Sequence, residues 1–184
     1  MEHTEPLIVP LKSGDPAAFE AIYARERRAV YAFLVRLSGD TNVAADLFQN
    51  VWLKLARHAP RLRPDTRIRA WLLTVARHEF ISYRRAQALD LSRLLALDRP
   101  AATLETGDAR LSELAAALAR LGDRDREVLL LTSVEGLNMD QAAQALDVSA
   151  AALRQRLSRA RRRLGEALDG LAAEPAALAV KVGR

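Results

Sequence analysis

Apolar positions recur at helical spacing along most of this chain, interrupted at a few polar and glycine-bearing steps. After Asp15-Pro16, where proline suits the first helical position, Phe19, Ile22, Tyr23, Val30, Phe33, Leu34 and Leu37 mark one helix. Ser38-Gly39-Asp40 ends it, and a second helix begins near Asn42 with Ala45, Leu47, Phe48, Val51, Trp52 and Leu55. Pro60 and Pro64 bracket an arginine-bearing loop, RLRPDTRIR. A third helix starts at about Arg69, with Trp71, Leu72, Val75, Ala76 and Phe80 predicted to be buried, and closes in Tyr83-Arg84-Arg85.

Between residues 88 and 110 the pattern breaks. Leu94, Leu95 and Leu97 suit at most a short helix, and Asp98-Arg99-Pro100 and Thr106-Gly107 interrupt it, so a flexible linker is expected. A second helical block spans residues 111–171. Leu111, Leu114, Leu118 and Leu121 open it, Gly122-Asp123 turns the chain, and Glu135-Gly136 ends the next helix. The stretch from Asn138 to Leu164 then reads as two short helices joined by a tight turn. Asn138 and Gln141 fit a capping box, Asp147 tolerates a left-handed backbone, and Ser149 caps the second helix of the pair. On that second helix Leu153, Leu157, Ala160 and Leu164 share one face, and Gln155, Ser158, Arg159 and Arg162 lie roughly opposite. Small residues early and cations after them suit a helix entering a DNA major groove; a basic solvated helix on a bundle is the plainer reading of the arginines alone. Residues 1–14 are read as an extension and 172–184 as a frayed tail.

Composition narrows the class. Half of the 184 residues are hydrophobic but only 5% are aromatic, which favours an all-α protein of two small helical domains over sheets. The net charge of +5 is unevenly placed, with a cationic block at Arg154, Arg156, Arg159, Arg161, Arg162 and Arg163 suited to a polyanion. The absence of cysteine excludes disulfides, thiolate metal sites and cysteine nucleophiles. The opening residues lack the basic start and apolar run of a secretory leader, no apolar run spans a bilayer, and a cytoplasmic protein without membrane insertion is expected. No phosphate loop, dinucleotide turn or HExxH motif is present, and His3, His58 and His78 are scattered, so no enzyme, cofactor or metal is expected.

Three pieces in order carry a resemblance: AADLFQNVWLKLAR from Ala44, RAWLLTVARHEFISYRR from Arg69, and LGDRDREVLLLTSVEGLNMDQAAQALDVSAAALRQRLSRARRRL from Leu121. The chain resembles a bacterial RNA polymerase sigma factor of the extracytoplasmic-function type. The resemblance implies a dissociable subunit that directs core RNA polymerase to promoters and is often held inactive by an anti-sigma factor. It implies a domain-2-like block at 15–87 for polymerase binding and −10 melting, a linker at 88–110, and a domain-4-like block at 111–171 for −35 binding.

Carried over residue by residue, Asp46, Leu47, Gln49, Asn50 and Trp52 would bind core polymerase; Leu47 and Trp52 serve equally as core. Arg61, Leu62, Arg63, Asp65, Trp71, Arg77, His78, Arg84 and Arg85 would hold the single-stranded −10 element, with a core role also open for Trp71. Arg154, Gln155, Ser158, Arg159 and Arg162 would read duplex DNA at −35, and Arg161 and Arg163 would sit on phosphates or polymerase. Leu62 stands where the family often has an aromatic, His78 where it usually has Asn, Ser82 where it has Asp, and Ala151 to Arg156 departs from the usual recognition sequence. The base preference is therefore not carried over. The competing reading is a free-standing helix-turn-helix regulator, which needs a dimer to span two half-sites.

Overall fold

A computed structural model describes residues 7–91 and 109–182, with side chains over 7–88 and 110–171. Among the described residues every regular element is helical, and the chain divides into two compact units, Met1–Pro100 and Ala101–Arg184.

The first unit is a three-helix bundle with a short helix added. Helices α2 (Pro16–Ser38), α3 (Thr41–His58) and α4 (Ile68–Leu91) pack pairwise. Their boundaries reflect local chemistry. The Asp15 carboxylate accepts from the Ala17 N–H at 2.9 Å, with Pro16 at the first helical position. Gly39 takes a left-handed φ of 68° and its N–H donates to the Val35 carbonyl, ending α2. One residue later the Asp40 carboxylate accepts from Asn42 and Val43, starting α3. Ile22, Val30, Phe33, Leu34 and Leu37 meet Ala44, Leu47, Val51 and Leu55 and Leu72, Leu73, Ala76 and Phe80 in the core. Trp71 and Val75, expected inside, are only half-buried, because the α4 stripe that faces the bundle runs through Ile68, Leu72, Ala76 and Phe80.

Helix α1 (Ile8–Lys12) lies in the segment read as an extension. It packs on α2 and on the 3-10 turn Ala59–Arg61, and it buries Ile8 and Leu11. Ion pairs tie α4 to its neighbours. Lys54 on α3 meets Glu79, and the buried Glu26 on α2 accepts from Arg25 at 2.8 Å while Arg69 lies 3.9 Å away.

The second unit comprises α5 (Ala109–Arg120), α6 (Asp123–Leu129), a π turn at Leu130–Val134, α7 (Met139–Leu146) and α8 (Ala150–Val182). Helices α5, α6 and α7 each pack on α8, and Leu118, Val128, Leu131, Ala142, Leu146, Leu153, Leu157 and Ala160 form the core. The Arg126 guanidinium donates to the carbonyls of Leu118, Ala119 and Leu121 at 2.7 to 2.9 Å, closing the C-terminus of α5 from α6. The π turn widens the backbone before Gly136, whose φ of 68° redirects the chain into α7. The chain beyond residue 171, expected to fray, continues as helix to Val182. The predicted flexible linker falls mostly at 92–108, outside the described residues.

Candidate nucleic-acid interfaces

The helix-turn-helix of the second unit is set by its caps. The Gln141 N–H donates to the Asn138 side chain at 2.9 Å, and the Asn138 N–H donates to the Gln141 side chain at 3.1 Å. Asp147 closes α7 in the left-handed region, φ 54° and ψ 51°, and its N–H and that of Val148 reach back to Gln144 and Ala143. The Ser149 hydroxyl then accepts from the Ala152 N–H at 3.2 Å. With Leu153, Leu157 and Ala160 buried against the unit, Ala151, Ala152, Arg154, Gln155, Ser158 and Arg159 face solvent.

Arg154, Gln155, Ser158 and Arg159 line one shallow concavity of about 440 Å³. Alanines at the start of α8 allow close approach, and the arginines after them can bond base edges bidentately. Arg162 is exposed one turn further on and lies 3.5 Å from Glu166. Arg163 is placed differently: its guanidinium meets the buried Asp125 of α6. The sequence left it for phosphate or polymerase, because a partner 38 positions away leaves no periodic signal.

In the first unit the loop after α3 is anchored by Leu62. This residue is 6% exposed, and its N–H donates to the Ala59 carbonyl at 3.2 Å. Leu62 thus forms the apolar floor of the loop and presents no open face for a base. Arg61, Arg63, Asp65 and Arg67 are exposed around it. Arg63 donates twice to Asp65, at 3.0 and 2.8 Å, so part of the loop's positive charge is compensated within the loop. Trp71 is half-buried with its ring 6.2 Å from the His58 ring, tilted by 50°. Trp71, Val75, His78, Ser82 and Arg85 succeed one another at helical spacing on the outer side of α4; Arg77 and Arg84 flank them. One aromatic ring at the head of a line that runs to Ser82 and Arg85, with arginines on either side, is a combination suited to an unstacked strand.

On α3 the expected set divides. Asp46, Gln49 and Asn50 are exposed, whereas Leu47 and Trp52 are buried. Trp52 sits edge-on among Phe19, Tyr23 and Phe48, with centroids at 6.1, 4.7 and 5.8 Å. The exposed set gains a member the sequence reading missed: Leu53 is 53% exposed and completes the spacing 46, 49, 50, 53 on one face. Counting seven positions on from Asp46 would have found it. An aliphatic side chain among carboxylate and amide groups makes this face suited to a protein partner rather than DNA. Among the described residues no group of His, Asp or Glu is arranged to hold a metal ion, and no helix is long and apolar enough to cross a membrane.

Residues 22–89 match the family model Sigma-70 region 2, and residues 111–164 match Sigma-70, region 4. RNA polymerase sigma factor CarQ of Myxococcus xanthus is 30% identical over 169 residues, covering 90% of this chain and 97% of its own. ECF RNA polymerase sigma factor SigM of Bacillus subtilis is 30% identical over 154 residues, covering 79% of this chain and 91% of its own. Among solved structures, the sigma factor RpoE of Bartonella quintana, in complex with the anti-sigma factor NepR, superposes with a TM-score of 0.73 at 26% identity, covering 82% of this chain and 96% of that one.

Proposed function

The chain belongs to the RNA polymerase sigma factors of the extracytoplasmic-function type, and on that footing we propose a division of promoter recognition among its three exposed surfaces. As a sigma factor it binds core RNA polymerase and directs promoter-specific initiation. The chemistry of transcription belongs to the polymerase; this chain contributes binding, and it works in the cytoplasm where that enzyme is found.

In this division the α3 face of Asp46, Gln49, Asn50 and Leu53 docks on core polymerase. The 61–68 loop and the outer side of α4 hold the displaced strand at −10, with Trp71 as the stacking ring, His78 about two turns further along the helix, and Arg61, Arg67, Arg77, Arg84 and Arg85 along the backbone. Capture of an unstacked base offsets the few kcal/mol that unpairing costs. In the second unit Arg154, Gln155, Ser158 and Arg159 read the −35 duplex, and Arg162 anchors it. The functional blocks are 15–87 and 111–171, joined by 88–110.

The single observation that carries this reading is the outward concavity of Arg154, Gln155, Ser158 and Arg159 on a capped helix-turn-helix. Its test is co-elution with bacterial core polymerase, then run-off transcription on a promoter library. A stable complex starting transcripts at a discrete subset is expected. Failure to bind core, together with tight dimeric binding to duplex DNA, would favour the free-standing regulator.

Regulation is inferred by likeness to RpoE, whose structure holds NepR. An anti-sigma protein covering the polymerase-binding and DNA-binding faces would keep this chain inactive. Pull-down of the full chain from native cells with no specific partner other than polymerase would count against it.

A further inference from the structure

We infer that Asp125 is a positioning residue for the −35 helix: it fixes the rotation of α8 and withholds Arg163 from DNA. The inference rests on the reading of α8 as the −35 helix.

Asp125 lies in the first turn of α6, with its side chain 10% exposed, and it bonds Arg163 of α8, whose side chain is 56% exposed. At about 100° per residue, Arg163 stands roughly a quarter-turn from the line of Gln155, Ser158, Arg159 and Arg162, and a quarter-turn from the buried line of Leu153, Leu157 and Ala160. It is therefore on the flank of the helix. Leu153, Leu157 and Ala160 seat α8 on the unit through aliphatic contacts, which are non-directional. A charge-assisted bond at the flank is directional and sets the roll. Rolling α8 turns every base-reading side chain together, so one flank contact governs several edge contacts.

The same bond has an electrostatic consequence. Arg163 is exposed enough to swing toward a phosphate when released, but beside Asp125 its charge is compensated. Asp125 thus keeps a non-specific cation out of a specific interface, because phosphate contacts add affinity without sequence information.

The test compares full-length wild type, Asp125→Ala, Arg163→Ala and the double variant, each assembled with core polymerase. Binding to cognate and −35-substituted promoters is measured across a salt series. In Asp125→Ala the salt slope is expected to steepen by about one unit as the freed Arg163 takes a phosphate, and −35 discrimination to fall about tenfold. Arg163→Ala is expected to lose discrimination with no steepening, and the double variant to match it. A contact that merely held the fold together would move both single variants alike. An Asp125→Ala variant with wild-type slope and discrimination overturns the inference, as does a steepened slope that persists in the double variant. A wild-type complex indifferent to the −35 sequence instead removes the underlying reading of α8.

Discussion

Asn138 and Gln141 bond each other in both directions, side chain to backbone, at 2.9 and 3.1 Å. The pair satisfies two backbone donors and fixes where α7 starts, immediately after the Gly136 bend. Asn138→Ala is expected to destabilise the second unit by about 1 kcal/mol, and Asn138→Ser to restore most of it. Denaturant unfolding, read by the exchange of the α7 amides, measures this.

Asp147 holds the turn between α7 and α8 with φ at 54°. Asp147→Val forces a β-branched side chain into the left-handed region and is expected to cost about 1–2 kcal/mol. Asp147→Gly fits the same backbone and keeps −35 binding. Parallel unfolding and promoter-binding titrations of the two variants separate backbone strain from loss of the carboxylate.

Leu53 stands exposed where an isolated protein gains nothing from an aliphatic group. Leu53→Ser is expected to change stability by no more than about 0.5 kcal/mol. As part of the polymerase-docking face it is expected to weaken core binding by about 1 kcal/mol or more, and Asp46→Ala likewise. Competition for core polymerase against the wild-type chain reads this directly.

Arg154→Ala and Arg159→Ala are expected to retain core binding and lose −35-dependent initiation. If each arginine meets one base edge, discrimination falls by about 1–3 kcal/mol at a single position. Uniform losses on every promoter would mark phosphate contacts instead. Quantitative transcription from single-base promoter variants distinguishes the two.

Leu62→Ala opens the floor under the 61–68 loop. It is expected to cost about 2–5 kcal/mol, as for other buried leucines, and to slow promoter opening more than core binding. Permanganate reactivity of the −10 thymines, compared with co-elution, checks this.

The elements that were legible from residue order are those whose signals are short in range. Asn138 with Gln141, Asp15 with Pro16, and Gly39 with Asp40 mark boundaries within four positions, and the structure has helix termini at each. Helix α1 escaped because five residues containing Pro10 are too few to display a period. Its burial of Ile8 and Leu11 comes from contacts with distant elements. The half-buried Trp71 escaped because ring size argues for full burial while the stripe through Leu72, Ala76 and Phe80 decides it. The π turn at Leu130–Val134 shifts backbone hydrogen bonds by one residue and needs no particular side chain, so composition carries no trace of it. On α3, residue type suggested that Asp46 and Gln49 stay outside, as they do, but packing was needed to show that Leu47 and Trp52 turn inward.

Arg126 spans the junction of α5 and α6 through three carbonyls. The helix-turn-helix is therefore not a portable cassette. A fragment beginning at Asn138 would keep every base-reading side chain yet lack the wall against which α8 lies. Transplanting this chain's DNA preference onto another sigma factor requires the graft to begin no later than Ala109, with the junction arginine carried along.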